Sequence, residues 1–187
     1  MINLKIEVTM SKNLEKDWTK PILEAVDRGM EEAAEQVLDI SKANFMNYVH
    51  PPIDTGQLLG SGNIESKFLE KTISYSCKYA KYIEYGTDPH MPPLIPILGW
   101  VYRKRAAFKL PKRVDGGLKR LIFASITKKS KSNEQRFIDV ANKIRWKIYK
   151  HGTIGKPFMR PAFFIVKYRL PAIIKKHVKQ AIKQLKG

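Results

Sequence analysis

Between Pro21 and Val49 the residues Ile22, Val26, Met30, Ala33, Val37 and Ile40 recur at steps of three and four, the spacing that gathers apolar side chains on one face of an α-helix. A helix this long with one apolar stripe is stable only when the rest of the chain covers the stripe. The first requirement on the fold is therefore a long amphipathic helix from about Pro21 to Val49. Pro21 is placed in its first turn, where a missing N–H has no partner to lose. The acids Glu24, Asp27, Glu31, Glu32 and Glu35 favour its N-terminal half, where the helix dipole stabilises negative charge. His50-Pro51-Pro52 ends it, since proline disfavours helical geometry in the residue before it and lacks the next donor.

Around this helix the patterns are shorter. Ile2, Leu4, Ile6 and Val8 alternate with Asn3, Lys5, Glu7 and Thr9, as in a strand with one buried face. Ile64 to Cys77 reads as extended chain, with Phe68, Ile73, Tyr75 and Cys77 sharing faces of a hairpin that turns near Glu70 and Lys71. Tyr79 to Tyr85 is a short aromatic segment broken by Gly86, and Pro89 to Pro96 reads as a loop. Asp115-Gly116-Gly117 suggests a β-hairpin turn inside a basic, projecting insertion at about 100–133. Ser132 with Gln135 fits a capping box, and Phe137, Ala141, Ile144 and Ile148 mark one face of a helix that Gly152 closes. Val166, Leu170, Ile174, Val178 and Ile182 recur every four residues, predicting a basic amphipathic helix over Pro161 to Leu185, interrupted or kinked at Pro171. The expected class is α+β: a long N-terminal helix and further C-terminal helices on a small, mainly antiparallel sheet, with a basic inserted hairpin or loop. With 187 residues, 43% of them hydrophobic, the chain is expected to form a single domain over 1–187.

No run of eighteen apolar residues occurs, and Met1 to Met10 alternates instead of forming a signal sequence. A soluble protein made in the cytoplasm is the expectation. Cys77 is the single cysteine, so no internal disulfide exists, and it reads as a small hydrophobe in a strand. Lys and Arg number 35 against 17 Asp and Glu, a formal net charge of +18 that attracts polyanions at low salt. The charge lies in the second half. Between Arg103 and Lys131 there are eleven bases and one acid, Asp115, and from Lys167 onward seven bases and no acid. Lys175 to Lys186 reads as the solvated face of a helix. Arg103, Lys104, Arg105, Lys109, Lys112, Arg113, Lys119 and Arg120, mixed with Tyr102 and Phe108, read as a polyanion contact.

Catalytic patterns are missing. His50, His90, His151 and His177 are far apart, and none has another histidine or a cysteine at metal-ligand spacing. Glu84, Asp88 and His90 form the nearest cluster, read as turn capping by Asp88 beside a surface His90. Gly152-Thr153-Ile154-Gly155-Lys156 resembles a phosphate loop but has two residues where four are needed between the glycines, and Pro157 where Ser or Thr would bind magnesium. No metal, cofactor or catalytic residue is assigned. A nuclease would instead put metal-dependent chemistry on Glu84 or Asp88, and a membrane-surface role is disfavoured by a last helix without a Trp-bearing apolar face.

Three short motifs follow one another: Asp54-Thr55-Gly56-Gln57-Leu58-Leu59-Gly60-Ser61, Tyr79-Ala80-Lys81-Tyr82-Ile83-Glu84-Tyr85-Gly86-Thr87, and Lys156-Pro157-Phe158-Met159-Arg160-Pro161-Ala162. Each is first a folding signal. Asp54 and Thr55 are suited to cap backbone amides while Gly56 turns and Leu58 and Leu59 enter the core; Gly86 allows a sharp turn; Pro157 and Pro161 preset a helix start, with Phe158 an apolar anchor and Arg160 a cross-subunit partner. In this order the motifs resemble the tailed-phage head-to-tail joining proteins, described variously as neck, tail-completion or minor tail components and including proteins similar to the minor tail protein Z of lambda-like phages. The resemblance covers about 21–93 and 144–162 and leaves out about 100–133. It implies a structural virion protein, not an enzyme, made in the host cytoplasm. It implies a closed ring of this chain, a hexamer, in the neck between head-closure or connector proteins and tail-terminator or tail-tube proteins, with genomic DNA passing non-specifically through it. Asp54, Thr55, Gly56, Leu58, Ser61, Tyr79, Ala80, Glu84, Gly86, Thr87, Pro157, Phe158, Arg160 and Pro161 are then fold or subunit-contact residues. The alternative is a basic nucleic-acid-binding module without catalytic activity, which explains the charge but not the motifs.

Overall fold

A computed structural model describes residues 2–7, 16–48, 54–112 and 114–186. Val8, Thr9, Val49, His50, Pro51, Pro52 and Arg113, named above, lie outside them. The fold is α+β, with a long N-terminal helix, further C-terminal helices and a small antiparallel sheet. Contacts divide the chain into two compact units, residues 1–85 with 155–187, and residues 86–154.

In the first unit, β1 (Ile2–Glu7) and β2 (Gly62–Lys67) flank β3 (Glu70–Tyr75), both antiparallel to it. The hairpin turns at Phe68 and Leu69, two residues before the expected place, because Lys67 pairs with Glu70. Leu69 accepts a left-handed φ of 59° there, a strained choice for a branched residue. Its N–H donates to Asp27 Oδ1 at 2.7 Å, and Asp27 with Glu31 also pairs the buried Lys71 at 3.0 and 3.1 Å. Burial works to lower the Lys71 pKa, but these two carboxylates overcome it and hold the ammonium above its ordinary value.

The long helix α1 (Lys16–Met46) begins five residues before Pro21, which lies inside it. Val26, Met30, Ala33 and Val37 are buried as the periodicity requires. α1 packs on the sheet and along α7 (Met159–Lys186), which runs through Pro171 as one helix. The two helices approach closely at Gly29, where a Cβ would stand 3.2 Å from the Ile174 Cα. Two short helices belong to this unit, α2 (Gln57–Gly60) before β2 and α3 (Ala80–Tyr85) after β3. Cys77 is buried just past the end of β3. No described helix is long and apolar enough to cross a membrane.

The second unit corrects the reading of the basic region. It is helical: α4 (Leu94–Arg103), α5 (Gly117–Thr127) and α6 (Ser132–His151) enclose Leu98, Val101, Leu121, Ala124, Phe137 and Ala141. Pro93 and Pro96, read as loop, are the cap and an early position of α4, where proline is tolerated. Asp115-Gly116-Gly117 does turn, but into α5 with Gly116 as its cap instead of between two strands. The expected insertion at about 100–133 falls within this unit. The chain enters it through β4 (Gly86–Thr87) and leaves through β5 (Thr153–Ile154), which pair antiparallel. Gly152 closes α6 at φ 65° with the Thr87 carbonyl oxygen 2.0 Å from where a Cβ would be, so both its conformation and its surroundings demand glycine.

Candidate subunit-contact site

α7 starts without a capping side chain of its own, since Lys156-Pro157-Phe158-Met159-Arg160-Pro161 contains no Ser, Thr, Asp or Asn. The cap comes from α3. Glu84, fully buried, accepts the Phe158 N–H at 2.8 Å and the Met159 N–H at 3.0 Å on Oε2. Its Oε1 accepts the Arg160 N–H at 3.0 Å and the Arg160 Nε–H at 3.1 Å. The next residue, Pro161, has no N–H. Every donor that the first turn would leave unpaired is thus satisfied by one carboxylate, whose charge also meets the positive end of the helix dipole.

Further bonds fasten the same place. The Lys156 N–H donates to the Ile83 carbonyl at 2.6 Å, Asn44 Nδ2 to the Phe158 carbonyl at 3.1 Å, and the Tyr48 hydroxyl to the Pro157 carbonyl at 2.9 Å. Burial raises the Tyr48 pKa, and the charge on Glu84 raises it further. Phe158 is buried edge-on between Phe45 and Tyr75 at 5.5 and 5.0 Å, and the Tyr75 hydroxyl meets Ser41 Oγ at 2.6 Å. Burial pushes the Tyr75 phenol up despite that bond.

The first motif joins through Leu58, which shares a buried cluster with Ala80 and Phe158. Burial raises the Tyr79 pKa, Cys77 raises it further, and the Leu58 backbone and Thr55 lower it. Leu58 is buried and Leu59 packs beside it, as expected, and Ser61 Oγ donates to the Leu58 carbonyl at 2.9 Å. Gly56 turns as expected, left-handed at φ 78°, and is itself the cap of α2, with no side-chain bond there. Ala80 is buried, Gly86 turns at φ 80°, and Thr87 Oγ1 lies 3.0 Å from Thr153 Oγ1. Compared with known proteins, the chain matches no family model, no curated protein and no solved structure.

On the outside of the knot, the Arg160 guanidinium lies over the Tyr85 ring at 4.6 Å. One and two turns further along α7 follow Phe164 and Tyr168, with Ile165 beside them, on the side away from the buried Ala162 and Val166. Tyr85 is 58% exposed, Phe164 55% and Tyr168 81%, an aromatic ridge of the kind that marks contact surfaces. Sequence periodicity identified the buried stripe of α7 and passed over this one.

The other expected sites fare differently. Asp88 and His90 are exposed in the second unit, with His90 Nδ1 2.8 Å from the Asp88 carbonyl oxygen. Glu84 keeps no oxygen for a metal, and no group of three or more His, Cys, Asp or Glu among the described residues is placed to hold one. Arginines of the basic tract are engaged within the fold: Arg105 binds the Lys112 and Tyr102 carbonyls at 2.9 and 3.0 Å, and Arg120 pairs Glu134 at 2.9 Å. Lys104 is half-buried, while Arg103, Lys109, Lys112 and Lys119 are exposed.

Proposed function

We propose that this chain is a structural virion protein of a tailed virus, a ring-forming component of the neck that joins the DNA-filled head to the tail, and not an enzyme. The observation that carries the reading is the convergence of three motifs, distant in sequence, on one locus: Glu84 of the second holds the helix start of the third, and Leu58 of the first shares a buried cluster with Ala80 of the second and Phe158 of the third. Motif residues used this way are a folding core, as a joining protein requires, and the ridge of Tyr85, Arg160, Phe164 and Tyr168 offers a rigid surface for a neighbour. Ring closure needs heterologous contacts, one face of each subunit against a different face of the next. The proposed partners are further copies in a closed hexamer, the head-closure or connector and tail-terminator or tail-tube proteins, and genomic DNA, bound without sequence preference by exposed bases such as Lys109, Lys112 and Lys119. The proposed location is the virion, after synthesis in the host cytoplasm.

Light scattering and electron microscopy of the purified chain, alone and with the head connector and tail tube of a tailed virus, test this. Closed rings are expected, and Phe164→Ser with Tyr168→Ser should abolish them while leaving the circular dichroism spectrum unchanged. A chain that stays monomeric even with those partners overturns the reading.

A further inference from the structure

Helix α6 turns Phe137, Ile138 and Ala141 into the core of the second unit and leaves its opposite face to solvent. Arg136, Lys143, Lys147 and Lys150 share that outer face, all exposed, at helical steps of seven, four and three. The row is roughly 21 Å long at 1.5 Å per residue. Asp139 is the one acid among them, and it accepts a bond from Gln135 at 2.7 Å. Among the described residues no carboxylate pairs with Lys143, Lys147 or Lys150. Trp146 lies beside the row, 54% exposed, and packs edge to face with Tyr149 at 5.5 Å, itself 48% exposed. These residues are separate from the basic tract between Arg103 and Arg120, whose arginines are partly consumed by the fold.

We propose that this face of α6 binds single-stranded nucleic acid, with Arg136 and the three lysines on successive phosphates and Trp146, braced by Tyr149, stacked on an unpaired base. The cations alone would suit any polyanion. The indole narrows the choice, because a flat exposed ring flanked by cations is the element that covers an unpaired base, whereas a duplex offers phosphates and hides its base faces. A membrane-surface helix would need a broad apolar face, but here the aromatic pair borders a row of cations. The site requires neither a ring nor a viral partner, so it stands or fails apart from the neck reading.

Fluorescence anisotropy of a labelled oligo-dT and of a mixed-sequence duplex of equal length, with sedimentation of phosphatidylserine-containing vesicles, tests the proposal on the full chain. The wild type should bind oligo-dT more tightly than duplex. Trp146→Ala should weaken oligo-dT binding by about 5- to 150-fold, the range for loss of one stacked base, and leave duplex binding nearly unchanged. Lys143→Ser with Lys147→Ser and Lys150→Ser should weaken both and reduce the salt slope for oligo-dT by about 2. All these positions are exposed, so circular dichroism and the oligomeric state should match wild type. Oligo-dT binding indifferent to Trp146→Ala, equal affinity for duplex, binding to vesicles alone, or no binding at all each overturns it.

Discussion

Two acids among the described residues are buried, Glu84 in the first unit and Glu134 in the second, and both cap a helix with an arginine alongside. Their reach differs. Glu134 accepts the Lys131 N–H at 2.9 Å, three residues before it at the start of its own helix, and pairs Arg120 of α5. Glu84 caps a helix 74 to 76 residues further along the chain. A local cap forms as soon as its own helix does, and any chain segment that begins the helix brings it along. A remote cap exists only when α3 and α7 are already docked, so it makes those two elements depend on each other.

The sharpest way to break this comparison is Glu84→Ala. It leaves the buried Phe158 and Met159 N–H groups, the part-buried Arg160 N–H and the half-exposed Arg160 side chain without their acceptor, and the expected cost is about 3–5 kcal/mol, a fall in Tm of roughly 6–20 °C for a chain of this length. Calorimetry that found a wild-type Tm would sink the idea that Glu84 couples the motifs.

A smaller effect concerns acid. The Lys131 amide and Arg120 hold the Glu134 carboxyl below its ordinary range, and a depressed carboxylate contributes stability that is fully present above its unfolded value, about 4.3, and lost as pH falls through the folded one. The Tm difference between wild type and Glu134→Gln should therefore be full at neutral pH and shrink below about pH 4.3. A difference that is constant from pH 7 to pH 3 would show that its charge contributes nothing to the cap.

Smallest of all should be Lys131→Ala. The cap uses the Lys131 backbone and the side chain is exposed, so the expected change is within about 0.5 kcal/mol. A larger loss in urea denaturation would mean that the side chain itself takes part.

How legible each element was follows the same division between local and remote. The stripes of α1, α6 and α7 stood out because each repeats over several turns. The cap of α6 was placed one residue off, on Ser132 with Gln135, when the carboxylate of Glu134 is the better acceptor and reaches back to Lys131. Helices α4 and α5 were read as loop and hairpin, since Pro93, Pro96, Gly116 and Gly117 resemble turn residues when taken singly and become helix starts only beside the buried Leu98, Val101 and Leu121. Charge and the neighbouring Tyr102 and Phe108 mark Arg105 and Arg120 as a polyanion contact, whereas carbonyls and a carboxylate inside the unit also bond them. One signal did point to Glu84: a helix start with no capping residue needs an acceptor from elsewhere, and Glu84 is the only acid between Lys71 and Thr87.

Sequence by itself determined the α+β class, the long first helix, the hairpin, the two C-terminal helices and the basic second half, because periodicity, proline and glycine act over a few neighbouring residues. Tertiary structure decided that both carboxylate oxygens of Glu84 are spent on the start of α7, that Arg160 stacks on Tyr85, and that Trp146 shares an open face with lysines. A hydrogen bond or ring contact is set by a distance of a few ångströms, and residues 74 positions apart carry no local pattern that encodes it.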